Sequence, residues 1–150
     1  MFTKRIVCYI VVFGAVLVSV GCKSTAKDDF LETDLPQPVI TENIVMETEF
    51  PEYDGNEEKI HVKLKNNTDE DFSYGKNFFL QKLDSGRWRY IGVSGNFSTL
   101  LCIIPPSWNG WEFFELKDHV KQPLLPGRYR VGFWGDEGKK STPIAEFTVK

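Results

Sequence analysis

Lys59-Ile60-His61-Val62-Lys63-Leu64-Lys65 is the stretch that decides the fold class. Ile60, Val62 and Leu64 alternate with His61, Lys63 and Lys65. That two-residue period belongs to a strand with one buried and one wet face. Asn66-Asn67-Thr68-Asp69 follows as a turn cluster, and the two asparagines suit the positive φ of a tight turn. Asn77 to Leu83 forms the next strand, and Asp84-Ser85-Gly86 closes a hairpin onto Arg87 to Val93. Trp88 and Tyr90 share one face there, with Trp88 expected in the core, and Arg87 and Arg89 lie opposite.

Strand signals continue in both directions. Upstream, Val39 to Phe50 gives an imperfect first strand, closed by Pro51 and the Asp54-Gly55-Asn56 turn. Downstream, Phe97 to Ile104 is an apolar run stopped by Pro105-Pro106, and Trp111 to Leu116 starts another segment. Leu116 to Val120 has room for a short helical turn. Leu125-Pro126-Gly127 leads into Arg128 to Trp134, where Tyr129, Val131 and Phe133 point inward and Arg128 and Arg130 outward. The outward arginines suggest a basic ladder with Arg87 and Arg89, paired to Glu and Asp. A Gly135-Asp136-Glu137-Gly138 hairpin precedes the last strand, Pro143 to Val149. Seven to eight short strands with frequent turns and no long helical period predict an all-β sandwich.

Several of these stretches, in order, resemble a bacterial immunoglobulin-like domain of exported proteins, of a kind common in Gram-positive cells. They are Val62-Lys63-Leu64-Lys65-Asn66-Asn67-Thr68, Phe72-Ser73-Tyr74-Gly75, Phe79-Leu80-Gln81-Lys82-Leu83, Gly86-Arg87-Trp88 and Leu125-Pro126-Gly127-Arg128-Tyr129-Arg130-Val131. The resemblance spans Ile60 to Val149 and is loose between Pro105 and His119. It implies an immunoglobulin-like β-sandwich, with Gly75 at a bulge or bend. Tyr129 would be a corner tyrosine whose hydroxyl bonds back to the preceding loop. It implies binding or spacing and names no reaction.

The N-terminus bears on location. Lys4 and Arg5 precede an uncharged run from Ile6 to Val20, and Val18-Ser19-Val20-Gly21-Cys22 ends it. A basic start, a short apolar core and small residues before a cut mark a secretory signal. The Gly21-Cys22 ending resembles a lipoprotein signal, although Ser19 stands where that family favours Leu. The resemblance implies cleavage after Gly21 and a diacylglyceryl group on Cys22, which would hold the protein on the membrane, outside the cytoplasm. Each buried CH₂ contributes about 0.8 kcal/mol, and two acyl chains anchor where one is marginal. An uncleaved anchor competes, but the run is shorter than the roughly 20 residues a bilayer needs; plain secretion is the other alternative. The expected organisation is a leader over 1–21, a polar tether over 22–38 and one domain over 39–150.

The leader takes two of the 18 basic residues and none of the 21 acidic ones, so the mature charge falls from −3 to −5. That argues against nucleic acid and against an anionic lipid surface as a partner of the domain itself. Cys8 leaves with the leader and Cys22 is acylated, so Cys102 has no disulfide partner. Set in Leu100-Leu101-Cys102-Ile103-Ile104, it reads as a small core hydrophobe.

No residue pattern calls for catalysis, a metal or a cofactor. His61 and His119 are far apart and no zinc spacing exists. Asp69, Glu70 and Asp71 resemble a Ca²⁺ cluster, but a solvated loop run is the commoner origin of such a stretch. Ser107 and Ser141 lack a nucleophile's neighbours. The candidate ligand surface is aromatic: Trp108 and Trp111 on an expected loop after two prolines, and Trp134 beside Gly135. Packing across the mouth of the sandwich is the competing reading. The expected function is a membrane-anchored binding or spacer module, not an enzyme. The alternatives are a glycan-binding module using Trp108 and Trp111, or a protease inhibitor presenting the Pro105 to Gly110 loop.

Overall fold

A computed structural model describes residues 28–31, 35–135 and 141–150. The leader, Cys22 and most of the Gly135 to Gly138 hairpin lie outside the described residues. Within them the chain forms eleven strands and no helix: β1 Val39–Ile40, β2 Ile44–Thr48, β3 Glu52–Tyr53, β4 Lys59–Asn66, β5 Phe72–Asp84, β6 Arg87–Ile91, β7 Leu101–Ile104, β8 Asn109–Glu115, β9 Gly127–Gly135, β10 Ser141–Thr142 and β11 Ile144–Val149. Three of these hold only two residues, which leaves eight of substance, the upper end of the expected number.

Two sheets pack face to face. The larger runs β3-β11-β9-β5-β6, with β7 on the first half of β5, and the smaller runs β2-β4-β8. A parallel pair, β1 with β10, stands beside them. The first segment, expected as one strand, breaks at 41–43; β2 joins the small sheet antiparallel to β4, whereas β3 joins the large sheet parallel to β11. One stretch of chain thus supplies an edge to both sheets of an all-β sandwich.

The alternation in β4 sets the core. Ile60, Val62 and Leu64 are buried, as are Ile44 and Met46 of β2 and Phe114 of β8. Facing them are Phe78, Leu80, Tyr129, Val131, Phe133 and Phe147 from the large sheet, and the Phe114 and Phe133 rings meet at 4.4 Å. Each fully buried side chain of this size contributes about 1.5–3 kcal/mol. An exposed pair such as Lys117 with Glu58 is a far weaker link, so apolar burial holds the sheets together.

Several local expectations hold. Asp84 pairs with Arg87 across a two-residue turn in which Ser85 and Gly86 have φ of 50° and 80°, the left-handed values this hairpin requires. The ladder between β5 and β9 slips between Tyr74 and Phe78, the stretch that contains Gly75. Tyr129 is buried and its hydroxyl donates to Leu125 O at 2.6 Å. Val120 N and His119 N both donate to Leu116 O, closing the expected turn.

Other expectations are corrected. Asn66 and Asn67 do not take positive φ. Asn66 is instead fully buried; its Nδ2 donates to Glu70 O, Ile104 O and Pro105 O at 2.8–3.2 Å, while its Oδ1 accepts from Thr68 N and Oγ1. β5 begins at Phe72, earlier than Asn77, because its first half pairs with β7. Leu101 and Ile103 are exposed and Cys102 is half-buried, so only part of that apolar run serves the core.

The outer face of the large sheet differs most. Trp88 and Tyr90 share a face, but it is the one turned away from the small sheet, with Gln81 and Arg130. Arg130 is only 6% exposed. Among the described residues it forms no ion pair: its Nε donates to Gln81 Oε1 at 2.6 Å and its guanidinium lies 4.6 Å from the Trp88 ring. Burial pulls its pKa down from the ordinary arginine value. Arg128 and Arg89 do pair, with Glu146 and Asp84, but Arg87 and Arg89 lie on the opposite face from Arg128 and Arg130, so the expected ladder does not form.

The described part of the 22–38 segment covers this region. Leu31 N donates to Tyr90 O and Gly92 N to Asp29 O, extending the edge of β6. Phe30 lies under the Arg89 guanidinium at 4.0 Å and packs against the core. Tyr90 donates its hydroxyl to Pro36 O at 2.8 Å, and Gln37 Oε1 accepts from Gln81 Nε2 and Arg130 Nη2. Residues 28–31 and 35–38 therefore lie against the sandwich, where a free polar tether was expected.

Candidate functional site

The three candidate tryptophans occupy three environments. Trp108 is half-buried and packs against the core. Its ring lies over Gly110, where an added Cβ would come within 2.2 Å of Cζ2, so only glycine fits beneath it. The turn before it is pinned: Asn66 Nδ2 holds the carbonyls of Ile104 and Pro105, Trp108 N donates to Pro105 O, and Asn66 N donates to Trp108 O. Pro105 to Gly110 is a braced turn leading into β8, not the free loop expected.

Because β8 starts at Asn109, Trp111 sits within a strand, on the side opposite Phe114. It is 58% exposed. Across the ladder it faces Lys63, which in turn faces Glu47. Lys59, His61, Lys63 and Lys65 form an exposed row along β4, and Phe113 continues the aromatic row beside them. Lys59 Nζ lies 4.4 Å from the Phe113 ring centre and 3.2 Å from Glu115. The result is a flat outer face on which one tryptophan and one phenylalanine lie beside three lysines.

Trp134 belongs to the other sheet. Its ring is 38% exposed and packs on Phe79 at 5.0 Å and Tyr90 at 5.8 Å. Trp111 and Trp134 therefore lie on opposite outer faces of the sandwich and do not form one surface. The period-2 alternation of β8 and β9 is what separates them.

Between the sheets lies a polar cluster that the sequence did not reveal. Glu112 of β8 accepts from Tyr74 Oη at 2.8 Å and from Lys76 Nζ at 2.5 Å, both through Oε2, and its Oε1 accepts from Phe113 N. Burial works against the charged carboxylate, but the bonds from Lys76 and Tyr74 outweigh it and hold the pKa below the usual glutamate value. Burial, and then the glutamate partner, push Tyr74 far up. The three residues couple β5 to β8. Tyr74 also packs on Phe133 at 4.3 Å and Lys76 lies near the Phe113 ring, so the cluster is tied into both sheets.

The histidines stay apart. His119 stacks on Phe97 at 4.3 Å with Nδ1 2.6 Å from Ser94 O, while His61 lies on the β4 outer face. A groove of about 400 Å³ borders His61 and includes Glu49, Glu52, Asp54 and Glu57. Glu57 already receives Asp54 N and Gly55 N, and Glu52 pairs with Lys150. Among the described residues no group of three or more His, Cys, Asp or Glu side chains is arranged to hold a metal ion, and this includes the run 69–71.

A family model described as a bacterial Ig-like domain matches residues 41–133. The chain belongs to this bacterial Ig-like domain family. The match takes in β2 to β8 and most of β9, the strands that place Tyr74, Glu112, Trp111 and Asn66. No curated protein matches the chain. Among solved structures, the chain is similar to the Pseudomonas fluorescens alkylpurine DNA glycosylase AlkC bound to DNA containing an abasic site analog, at 11% identity and TM-score 0.40, covering 72% of this chain and 30% of that one. It is also similar to the archaellum periplasmic stator protein FlaG from Sulfolobus acidocaldarius, at 12% identity and TM-score 0.39, covering 70% and 98%. A β-glucosidase from Listeria innocua matches at 18% identity and TM-score 0.37, covering 71% of this chain and 16% of the enzyme. The bacterial Ig-like chain thus spans under a third of both enzymes.

Proposed function

We propose that this chain is a lipid-anchored cell-envelope protein, whose bacterial Ig-like domain acts as a binding or spacer module outside the cytoplasm. One observation carries the reading: the lipoprotein-like Gly21-Cys22 ending precedes a single sandwich by only a short segment. The side chains that bury polar groups support a non-catalytic role. Asn66, Tyr74, Glu112, Gln81 and Arg130 all hold strands or turns together. Cell fractionation tests the anchoring. The native chain should sediment with membranes, and a Cys22→Ser variant should appear in the soluble extracytoplasmic fraction; membrane retention of the variant would refute the reading.

Glycan binding is the second reading, favoured by Trp111. An exposed indole on a flat sheet face offers a stacking platform for a sugar ring, and the β4 lysines beside it supply hydrogen-bond donors. The surface is Trp111 with Phe113 and Lys63, without Trp108 and Trp134. Retention on insoluble peptidoglycan or polysaccharide tests it. The protease-inhibitor reading draws no support from the braced Pro105 to Gly110 turn.

A further inference from the structure

A buried receptor site on the large sheet is filled by the chain's own N-terminal segment. Gln81 is fully buried and Arg130 nearly so, on a face that the small sheet does not cover. Their free polar atoms converge on one acceptor, Gln37 Oε1, at 3.1 Å and 3.0 Å, and Gln37 Nε2 donates to Trp88 O. A buried guanidinium needs such partners to offset its lost hydration. At the start of the segment both oxygens of Asp28 lie 2.8 Å from Lys82 Nζ, and the β6 edge gains two backbone bonds from Asp29 and Leu31. Six residue steps separate Asp28 from Cys22, and they reach at most about 21 Å.

We infer that residues 28–31 and 35–38 are a strap that fixes how the domain stands on the bilayer. This rests on the proposed lipid at Cys22. The strap brings the anchored chain to Lys82, beside Gly127 and the Asp84–Arg87 turn, so that end of the sandwich faces the lipid surface. Ten residue steps along β5 separate Lys82 from Phe72, at most about 33 Å at the strand rise. Phe72 pairs with Ile104, whose carbonyl Asn66 holds, so the 66–71 and 105–108 turns form the outward end. Trp111 and the β4 lysines then lie on a side wall, open to a partner approaching along the membrane.

Two measurements test the strap separately from the anchor. In the unacylated Cys22→Ser chain, the Leu31 and Gly92 amides should resist hydrogen exchange at least ~100-fold, and Gln37→Ala should reduce that protection. Exchange at the random-coil rate would overturn the strap whatever the anchor does. In the acylated chain, on a Cys102→Ser background, a fluorophore is placed at Arg87→Cys or Asp69→Cys. The protein is held in phosphatidylcholine–phosphatidylglycerol vesicles carrying a headgroup quencher. Quenching at position 87 should exceed that at 69 several-fold. Equal quenching with acylation intact would overturn the orientation and leave the anchor standing. A chain that takes up no acyl group would overturn the anchor and, with it, the orientation.

Discussion

Tyr74 Oη and Glu112 Oε2 meet at 2.8 Å across the gap between the two sheets, joining β5 to β8 where the core is otherwise apolar. A hydrogen bond to a charged group contributes about 1.5–3 kcal/mol. Tyr74→Phe keeps the ring that packs on Phe133 at 4.3 Å and removes the hydroxyl that bonds Glu112 and Cys102. The variant should lose about 2 kcal/mol of unfolding free energy in a urea titration, with an unchanged far-ultraviolet spectrum. An unaltered midpoint would show that the bond adds nothing.

The same cluster makes stability depend on pH. Glu112 holds its proton less tightly folded than unfolded, because Lys76 and Tyr74 outweigh its burial. Its contribution is therefore complete above the ordinary glutamate value and lost as pH falls through the lowered folded value. Urea midpoints should drop as the pH falls below the ordinary glutamate value, and Glu112→Gln should flatten that acid limb. Parallel curves for the two proteins would refute the assignment.

Asn66 and Asn67 look alike in sequence and should behave differently. Asn66→Ala strips the donors from the Ile104 and Glu70 carbonyls and should cost about 3 kcal/mol. Asn67 is exposed and its backbone N donates to Asn43 O. Asn67→Ala should stay within about 0.5 kcal/mol. Thermal melts of the two variants decide it.

The outer face of β8 separates binding from folding. Trp111→Ala removes an exposed ring and should change stability by less than about 1 kcal/mol while abolishing retention on peptidoglycan or polysaccharide. Trp108→Ala opens a gap above Gly110 and should destabilise by about 2 kcal/mol without a specific loss of retention. Equal retention of wild type and Trp111→Ala would remove the glycan reading.

The sandwich was legible because alternation is a local signal. Ile60, Val62 and Leu64 announced their buried face, and Leu125 to Val131 announced the Tyr129 corner. Alternation assigns two faces but does not say what covers each. Arg130 lies on the outward face that alternation gives it, but what buries it is Gln37, 93 residues away; Trp88 lies on that same outer face and not in the core. The Tyr74–Glu112 bond, 38 residues apart in sequence, has no local signature either. Asn66 was recognised as a turn residue, but its bonds to β7 depend on the bend of the whole sandwich. Pro105-Pro106 marks a break without showing that the next strand begins at Asn109, two residues before Trp111.

The most direct test of the account is incorporation of radioactive palmitate into the full-length chain, compared with Cys22→Ser and Cys102→Ser. The wild type and Cys102→Ser should label equally, and Cys22→Ser should not label. Label retained in Cys22→Ser would contradict the proposed lipid anchor, and with it the placement of this domain at the membrane.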